Sequence, residues 1–242
     1  AMLSSSRETM RLALADAGLV WEPRDIVGGD FYHFERTEQG WFAALADCTG
    51  HGVPGAFLTV IASSALKQAL ERFGPNDPAR LMGEVNCSIK STLGQSAKAR
   101  LSQSDDGMDA AFFFFNQHKR ELTSANARVP LFYLSPASEE ITLIAAERNG
   151  LGYVDTDEDC MWQNTVTPLP AGTILFGSTD GLWDQIGGPK QIAFGKQRIR
   201  QALLANRTLS MQAFTQTLMH ELHTYQGTQQ RRDDLACFAF RL

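Results

Sequence analysis

Phe112, Phe113, Phe114 and Phe115 stand in an unbroken run, and no other feature restricts the fold as strongly. Successive side chains of a strand point to opposite faces, so a strand built from this run carries large rings on both. It reads as a central strand covered above and below. Core packing is the stronger reading of these rings, ahead of stacking on a cofactor.

The rest of the pattern shows how such covering is supplied. Residues 4–19 read as a helix with Met10, Leu14 and Leu19 near one face, broken at Trp21-Glu22-Pro23. Val27 to Tyr32 reads as a strand interrupted by a glycine pair, and Trp41 to Ala46 as a short buried strand. After the turn-rich Gly50, Gly52, Pro54 and Gly55, apolar residues from Phe57 to Phe73 follow helical spacing, ended by Gly74-Pro75. Pro78 opens a second helix with Leu81, Val85 and Ile89 on one stripe. Residues 94–108 read as a loop. Strands are expected over 110–115, 121–125, 131–134, 141–145, 173–178 and 235–240, and helices over 195–205 and 210–225. This order lacks the regular alternation of a parallel α/β fold. It predicts one α+β domain of antiparallel sheets covered by helices, over residues 21–242, with 1–20 as an N-terminal helix or linker stub.

Composition narrows the function. A net charge of -5 argues against nucleic acid as a partner, which calls for a basic face, and against docking on an anionic membrane. Cys48, Cys87, Cys160 and Cys237 show no C-x-x-C spacing, so a structural zinc site is not expected, and scattered cysteines suit a reducing compartment. No continuous apolar run approaches the roughly 18 residues that a bilayer requires, and the N-terminus lacks a signal-peptide pattern. Ala1 ahead of Met2 reads as a residue left by tag removal, so an upstream segment is expected in a longer parent protein.

Four aspartates mark the ends of the expected apolar strands. Asp30 follows Gly28-Gly29, Asp47 ends the run at Ala46, Asp180 follows Leu175 to Thr179, and Asp233 precedes Leu235. A single strand-end aspartate is usually a turn or cap residue. Four of them brought to one cleft would repel one another unless cations neutralised them. Hard divalent cations favour such oxygen ligands, so Mg²⁺ or Mn²⁺ is the natural partner.

Five segments carry a family resemblance. They are Val27-Gly28-Gly29-Asp30-Phe31-Tyr32, the stretch from Ala46 to Ala56 containing Asp47-Cys48-Thr49-Gly50-His51-Gly52, Asp106-Gly107-Met108-Asp109-Ala110, Thr179-Asp180-Gly181-Leu182-Trp183-Asp184-Gln185, and Asp233-Asp234-Leu235-Ala236. In this order and spacing they resemble the SpoIIE/RsbU-type PP2C phosphatases of bacteria, from about Pro23 to the C-terminus. The resemblance implies an αββα sandwich of two antiparallel sheets flanked by helices, with two divalent cations at one edge. It implies that Asp47 bridges both ions, that Asp30 binds the second, that Asp180 and Asp233 bind the first, and that Cys48 offers its backbone carbonyl rather than its thiol. The implied reaction is hydrolysis of phosphoserine or phosphothreonine by a metal-activated water, with no enzyme-bound phosphate.

Other roles stay open at this stage. His51 is either a general acid or a loop residue, and the wider family places its histidine nearer the corresponding aspartate, where this chain has Thr49. Asp109 either binds a further metal or orients water. Arg24 either contacts phosphate or forms a surface salt bridge. Asp234 stands where many relatives carry asparagine. The resemblance further implies a phosphorylated STAS-domain protein as substrate, an N-terminal sensor or membrane region with this domain on the cytoplasmic side, and a switch role for the two helices after Val53, and it leaves a homodimer open. A non-catalytic PP2C-fold module that binds a phosphoprotein is the main alternative, and a phosphoesterase of small molecules a third. The chain has no Walker-type loop or G-x-G-x-x-G element.

Overall fold

A computed structural model describes residues 2–95 and 105–242; of the expected 94–108 loop, residues 96–104 lie outside the described part. Helix α1 (Met2–Ala13) leads into strands β1 (Asp16–Glu22), β2 (Asp30–Arg36) and β3 (Gly40–Cys48). Helices α2 (Gly52–Phe73) and α3 (Pro78–Leu93) follow, then β4 (Met108–Asn116), β5 (Glu121–Ala127), β6 (Leu131–Leu134), β7 (Thr142–Ile144), β8 (Thr165–Pro168) and β9 (Ile174–Ser178). The chain closes with α4 (Asp180–Trp183), a small hairpin of β10 (Ile186–Gly187) and β11 (Ile192–Ala193), α5 (Gly195–Ala205), α6 (Met211–Gln226) and β12 (Leu235–Arg241).

Two five-stranded antiparallel sheets form, in the orders β1-β12-β9-β6-β7 and β2-β3-β4-β5-β8. The phenylalanine run explains why they stack. Phe112 and Phe114 on β4 pack with Leu66, Leu81 and Val85 of α2 and α3, whereas Phe113 and Phe115 face the other sheet among Trp41, Leu175 and Phe238. A third apolar layer joins the outer face of the first sheet to α5 and α6 through Phe176, Phe214 and Leu218. The result is the expected α-β-β-α layering.

The helices obey local rules. Asp77 caps α3 by accepting from the Arg80 N–H at 3.2 Å, with Pro78 in the first turn. Ser210 caps α6 through the Ala213 N–H at 3.2 Å. By length and composition α2 is apolar enough to cross a membrane, a property that the search for continuous apolar runs does not detect. In the fold one of its faces, with Leu58, Ala62 and Leu66, is buried in the core.

Sequence expectations are corrected at three places, the first being the strand expected over Val27 to Tyr32, which instead runs Asp30–Arg36. The helix expected over 4–19 ends at Ala13, and Asp16–Glu22 is instead an edge strand paired along its whole length with β12. Residues 16–20 thus lie in a sheet. Gly18 permits this, because a Cβ there would sit 2.1 Å from the Met211 carbonyl oxygen of α6. The third is β8, which carries no strand signal in the sequence; three of its four residues are exposed, so it shows no apolar alternation.

Trp41 is fully buried between the sheets, with ring centroids 5.4 Å from Phe34 and 5.5 Å from Phe240. Among the described residues its indole N–H has no hydrogen-bond partner. Trp41→Phe is therefore expected to lose packing volume only, under about 2 kcal/mol, while Trp41→Ala costs about 3–5 kcal/mol. Urea unfolding of the two variants checks the difference.

Candidate metal centre

Strand register builds the site. Asp30 on β2 pairs with Asp47 on β3, and Asp47 pairs with Asp109 on β4. Residues directly opposite in neighbouring strands point to the same face, so three carboxylates form a row across one sheet. That face looks toward the other sheet, since Tyr32, Leu45 and Ala111, two residues along each strand, belong to the inter-sheet core. The other sheet delivers Asp180, at the start of α4 just beyond β9, and Asp233, just ahead of β12. Asp180 faces Asp47 across the gap, near enough that its charge adds to the effect of burial in raising the Asp47 carboxyl.

Asp30 is only 2% exposed. Its Oδ2 accepts from Thr179 Oγ1 at 2.7 Å, and Thr179 Oγ1 in turn accepts from the Ala236 N–H at 2.9 Å. Burial pushes the Asp30 carboxyl well above the usual carboxylate range; the Thr179 hydrogen bond opposes this and Asp234, Asp180 and Asp233 add to it. Burial also raises Asp47 strongly, followed by the charges of Asp30, Asp180, Asp233 and Asp109. Asp180 is pushed up to about 6, by burial first and then by Asp233 and Asp184.

Among the described residues, no three carboxylate, imidazole or thiolate side chains already close on one point as a ready metal cage. Mg²⁺-type ions keep several waters and take one or two carboxylates each, so facing carboxylates suffice. The donor set fits hard divalent ions: Asp30, Asp47, Asp180 and Asp233 are all oxygen ligands, and each of the first three is raised by its neighbours' negative charge. A backbone cradle completes it. A Cβ on Gly29 would lie 2.6 Å from the carbonyl oxygens of both Cys48 and Gly50, so only glycine lets these backbones meet.

The cradle is tied from three sides. Asp234 accepts from the Arg24 and Gly29 N–H groups, each at 2.6 Å. Thr59 of α2 donates to the Gly29 carbonyl at 2.8 Å, and the Cys48 N–H donates to the same carbonyl at 3.2 Å. Sequence reasoning treated Asp234 only as a place where relatives carry asparagine. It is buried and holds the metal-loop backbone. Gln185 was also passed over; it donates to the Gln230 carbonyl and accepts from the Arg232 N–H, fixing the segment that leads into Asp233.

The remaining named residues fall into place around this row. The Cys48 thiol is buried and pushed well up by burial, which disfavours the thiolate. His51 precedes α2, and its Nδ1 lies 3.1 Å from Asp25 Oδ2, both half-exposed. The Arg24 guanidinium donates to the Arg232 carbonyl at 3.2 Å. Asp109 lies 3.5 Å from Arg128 Nη1 and also receives a hydrogen bond from Tyr153. Asp184 caps the end of α4 and is exposed.

Similarity to known proteins agrees with this geometry. A family model described as "Stage II sporulation protein E (SpoIIE)" matches residues 37–242. The chain is 24% identical over 172 residues to "Phosphoserine phosphatase RsbU" of Bacillus subtilis, a match that covers 69% of this chain and 46% of that protein, so the chain spans about half of its length. It is 31% identical to the solved SiaA-PP2C domain of Pseudomonas aeruginosa, with a TM-score of 0.86 over 98% of this chain and 89% of that one. The catalytic domain of the phosphatase PstP, solved with two manganese ions, shares the fold at 14% identity and a TM-score of 0.63, over 93% of this chain and 96% of that one.

The raised carboxyls give a sign for pH. A carboxyl that holds its proton more tightly when folded weakens the fold as pH rises from its unfolded value, about 4, through its folded value. For Asp180 that window ends at about 6, and for Asp30 and Asp47 it extends upward from the same starting point. Metal-free protein is expected to lose thermal stability between pH 4.5 and 7. Asp47→Asn is expected to raise its Tm at pH 7, by about 2–4 °C for each kcal/mol of repulsion relieved. Calorimetry in EDTA measures both.

Proposed function

We propose, because this chain belongs to the SpoIIE family of PP2C-type serine/threonine phosphatases, that it hydrolyses phosphoserine or phosphothreonine on a regulatory protein. The observation that carries this reading is the row Asp30–Asp47–Asp109 facing Asp180 across two sheets. Four strand-end carboxylates of a single charge have little structural use at one edge. They have a clear use as ligands for divalent ions.

Asp47 stands at the centre of the set, suited to touch both ions. Asp30 would hold the second ion, Asp180 and Asp233 the first, and the Cys48 carbonyl would complete the shell. When bound, the ions supply positive charge that offsets the phosphoryl oxygens and makes water acidic enough to react near neutral pH. The PstP structure with manganese supports this choice of metal. Thr179 fixes the Asp30 carboxyl so that one oxygen is engaged and the other remains for a ligand. Asp234 and Thr59 keep the Gly28-Gly29 backbone close to Cys48. His51, held by Asp25 at the rim, would give a proton to the departing serine oxygen if it acts as the general acid, the alternative being a structural loop residue.

The name of the RsbU relative, a phosphoserine phosphatase, supports a phosphoprotein substrate. We take that substrate to be a STAS-domain protein, phosphorylated by a partner-switching kinase and met in the cytoplasm. A non-catalytic binding module is the weaker reading, because such a module has no need of the complete carboxylate set.

Hydrolysis of an aryl phosphate with Mn²⁺ added, with EDTA, and by Asp47→Asn tests the proposal. Activity is expected to require the metal and to fall by at least about 100-fold in the variant. Activity that survives both EDTA and Asp47→Asn sinks it.

A further inference from the structure

Arg128 ends the row of carboxylates. The β4–β5 register ends at Ala111 and Asn126; one residue past β5, Arg128 bridges to Ala110, and its side chain reaches Asp109 at 3.5 Å. Three anionic strand positions, Asp30, Asp47 and Asp109, are thus followed by one cationic side chain from the loop after β5. Strands lie about 4.8 Å apart, so Asp47 is one strand beyond the Asp109 that Arg128 touches. An extended arginine covers most of that distance.

Its side chain is held but not used up. Nε donates to the Arg148 carbonyl at 2.8 Å, and the guanidinium lies over the Tyr153 ring at 4.7 Å. These contacts fix the stem and the plane. The outer nitrogens are less engaged: Nη1 lies 3.5 Å from Asp109 and Nη2 3.9 Å from Asp155. Charge-assisted hydrogen bonds between such groups run about 2.7–2.9 Å, so both contacts are loose. The side chain is 35% exposed at the open edge of the site.

The backbone at Arg128 points the same way. Its φ is +62°, a conformation that L-residues adopt reluctantly and glycine adopts freely. Among the described residues the other two non-glycine cases are Arg120 and Gln191. Both of those lie in hairpin turns, between β4 and β5 and between β10 and β11. Arg128 instead sits where the chain leaves one sheet for the other. Strain kept at such a point is a mark of functional sites.

We propose that Arg128 binds the substrate phosphoryl group, gripping two of its oxygens through Nη1 and Nη2 as the phosphoserine or phosphothreonine meets the Asp30–Asp47–Asp109 row. This rests on the phosphatase reading above. The planar fork matches a pair of phosphate oxygens in a way that an ammonium does not, and preorganised positive charge at the phosphoryl group stabilises charge there during transfer. The Arg148 carbonyl and the Tyr153 ring hold the fork in position until the anion arrives. The rival assignment is a static counter-ion that only neutralises Asp109.

Binding of inorganic phosphate to the Mg²⁺-loaded chain, followed by calorimetry, separates the two, with aryl phosphate kinetics run alongside. Arg128→Ala is expected to weaken phosphate binding about 10- to 100-fold and to raise KM, with Mg²⁺ affinity within about twofold of wild type. Arg128→Lys recovers part of the loss and carries the comparison if the alanine variant does not fold. In Arg128→Ala combined with Asp109→Asn, phosphate binding stays weak if Arg128 grips the anion. Recovery of wild-type phosphate affinity in that double variant overturns the proposal, as does equal affinity in wild type and Arg128→Ala, or no phosphate binding by wild type. Arg128-dependent phosphate binding without turnover upholds this assignment and removes the phosphatase reading. Turnover with phosphate affinity indifferent to Arg128 does the reverse.

Discussion

Asp30 and Asp47 sit directly opposite one another on β2 and β3, and burial first, then the negative charge of neighbouring aspartates, disfavours the charged form of each. Backbone pairing overrides that repulsion. The register of an antiparallel pair cannot slip by one residue without turning every side chain to the wrong face, and here the faces are set by the aromatic core. Phe31 and Phe42 must face the helices, Tyr32 and Leu45 the other sheet. With those positions fixed, the two aspartates have nowhere else to go. The apolar core thereby holds an arrangement of charges that electrostatics alone disfavours.

A second set of contacts determines where the two sheets meet at this edge. Thr179 bonds to Asp30 across 149 residues of sequence, and Asp234 bonds to Gly29 across 205. Each links an end of the first sheet to the beginning of β2. The carboxylates from the two sheets are therefore located relative to one another by short, buried hydrogen bonds as well as by the general packing of the sandwich. A cation entering this edge would meet carboxylates whose backbones are already placed, so the ordering left to oppose its binding is closure of the side chains.

Much of this was legible in the sequence, and the parts that were not share a physical cause. Phe112–Phe115 announced a doubly covered strand because a run of large rings admits few other environments. The aspartates were legible as strand-end residues in recognisable segments. Strand β1 was not, because Met10, Leu14 and Leu19 mimic helical spacing and the demand for Gly18 comes from α6, almost two hundred residues later. Asp234 and Arg128 were missed for the same kind of reason. Asp234 acts on the backbone of Arg24 and Gly29, and the partner of Arg128 is Asp109, 19 residues away on a neighbouring strand. Local pattern carries the elements, but a hydrogen bond between distant segments has no local pattern.

The helix α2 is connected to the site by the same logic. Thr59 donates to the Gly29 carbonyl, and a Cβ on Gly55 would lie 2.2 Å from the Gly50 carbonyl oxygen and 3.0 Å from the Gly29 Cα. One turn of α2 thus packs directly on the two loops that cradle the candidate metal ligands. On its other side the helix leaves Val53, Phe57 and Val60 exposed, with Phe57 at 70%. A hydrogen bond of 2.8 Å tolerates only a few tenths of an ångström before it weakens. Translation of α2 along the sheet therefore cannot leave the Gly28-Gly29 backbone where it is. The geometry at Asp30 and Cys48 depends on where this half-covered helix rests, although α2 supplies no ligand of its own.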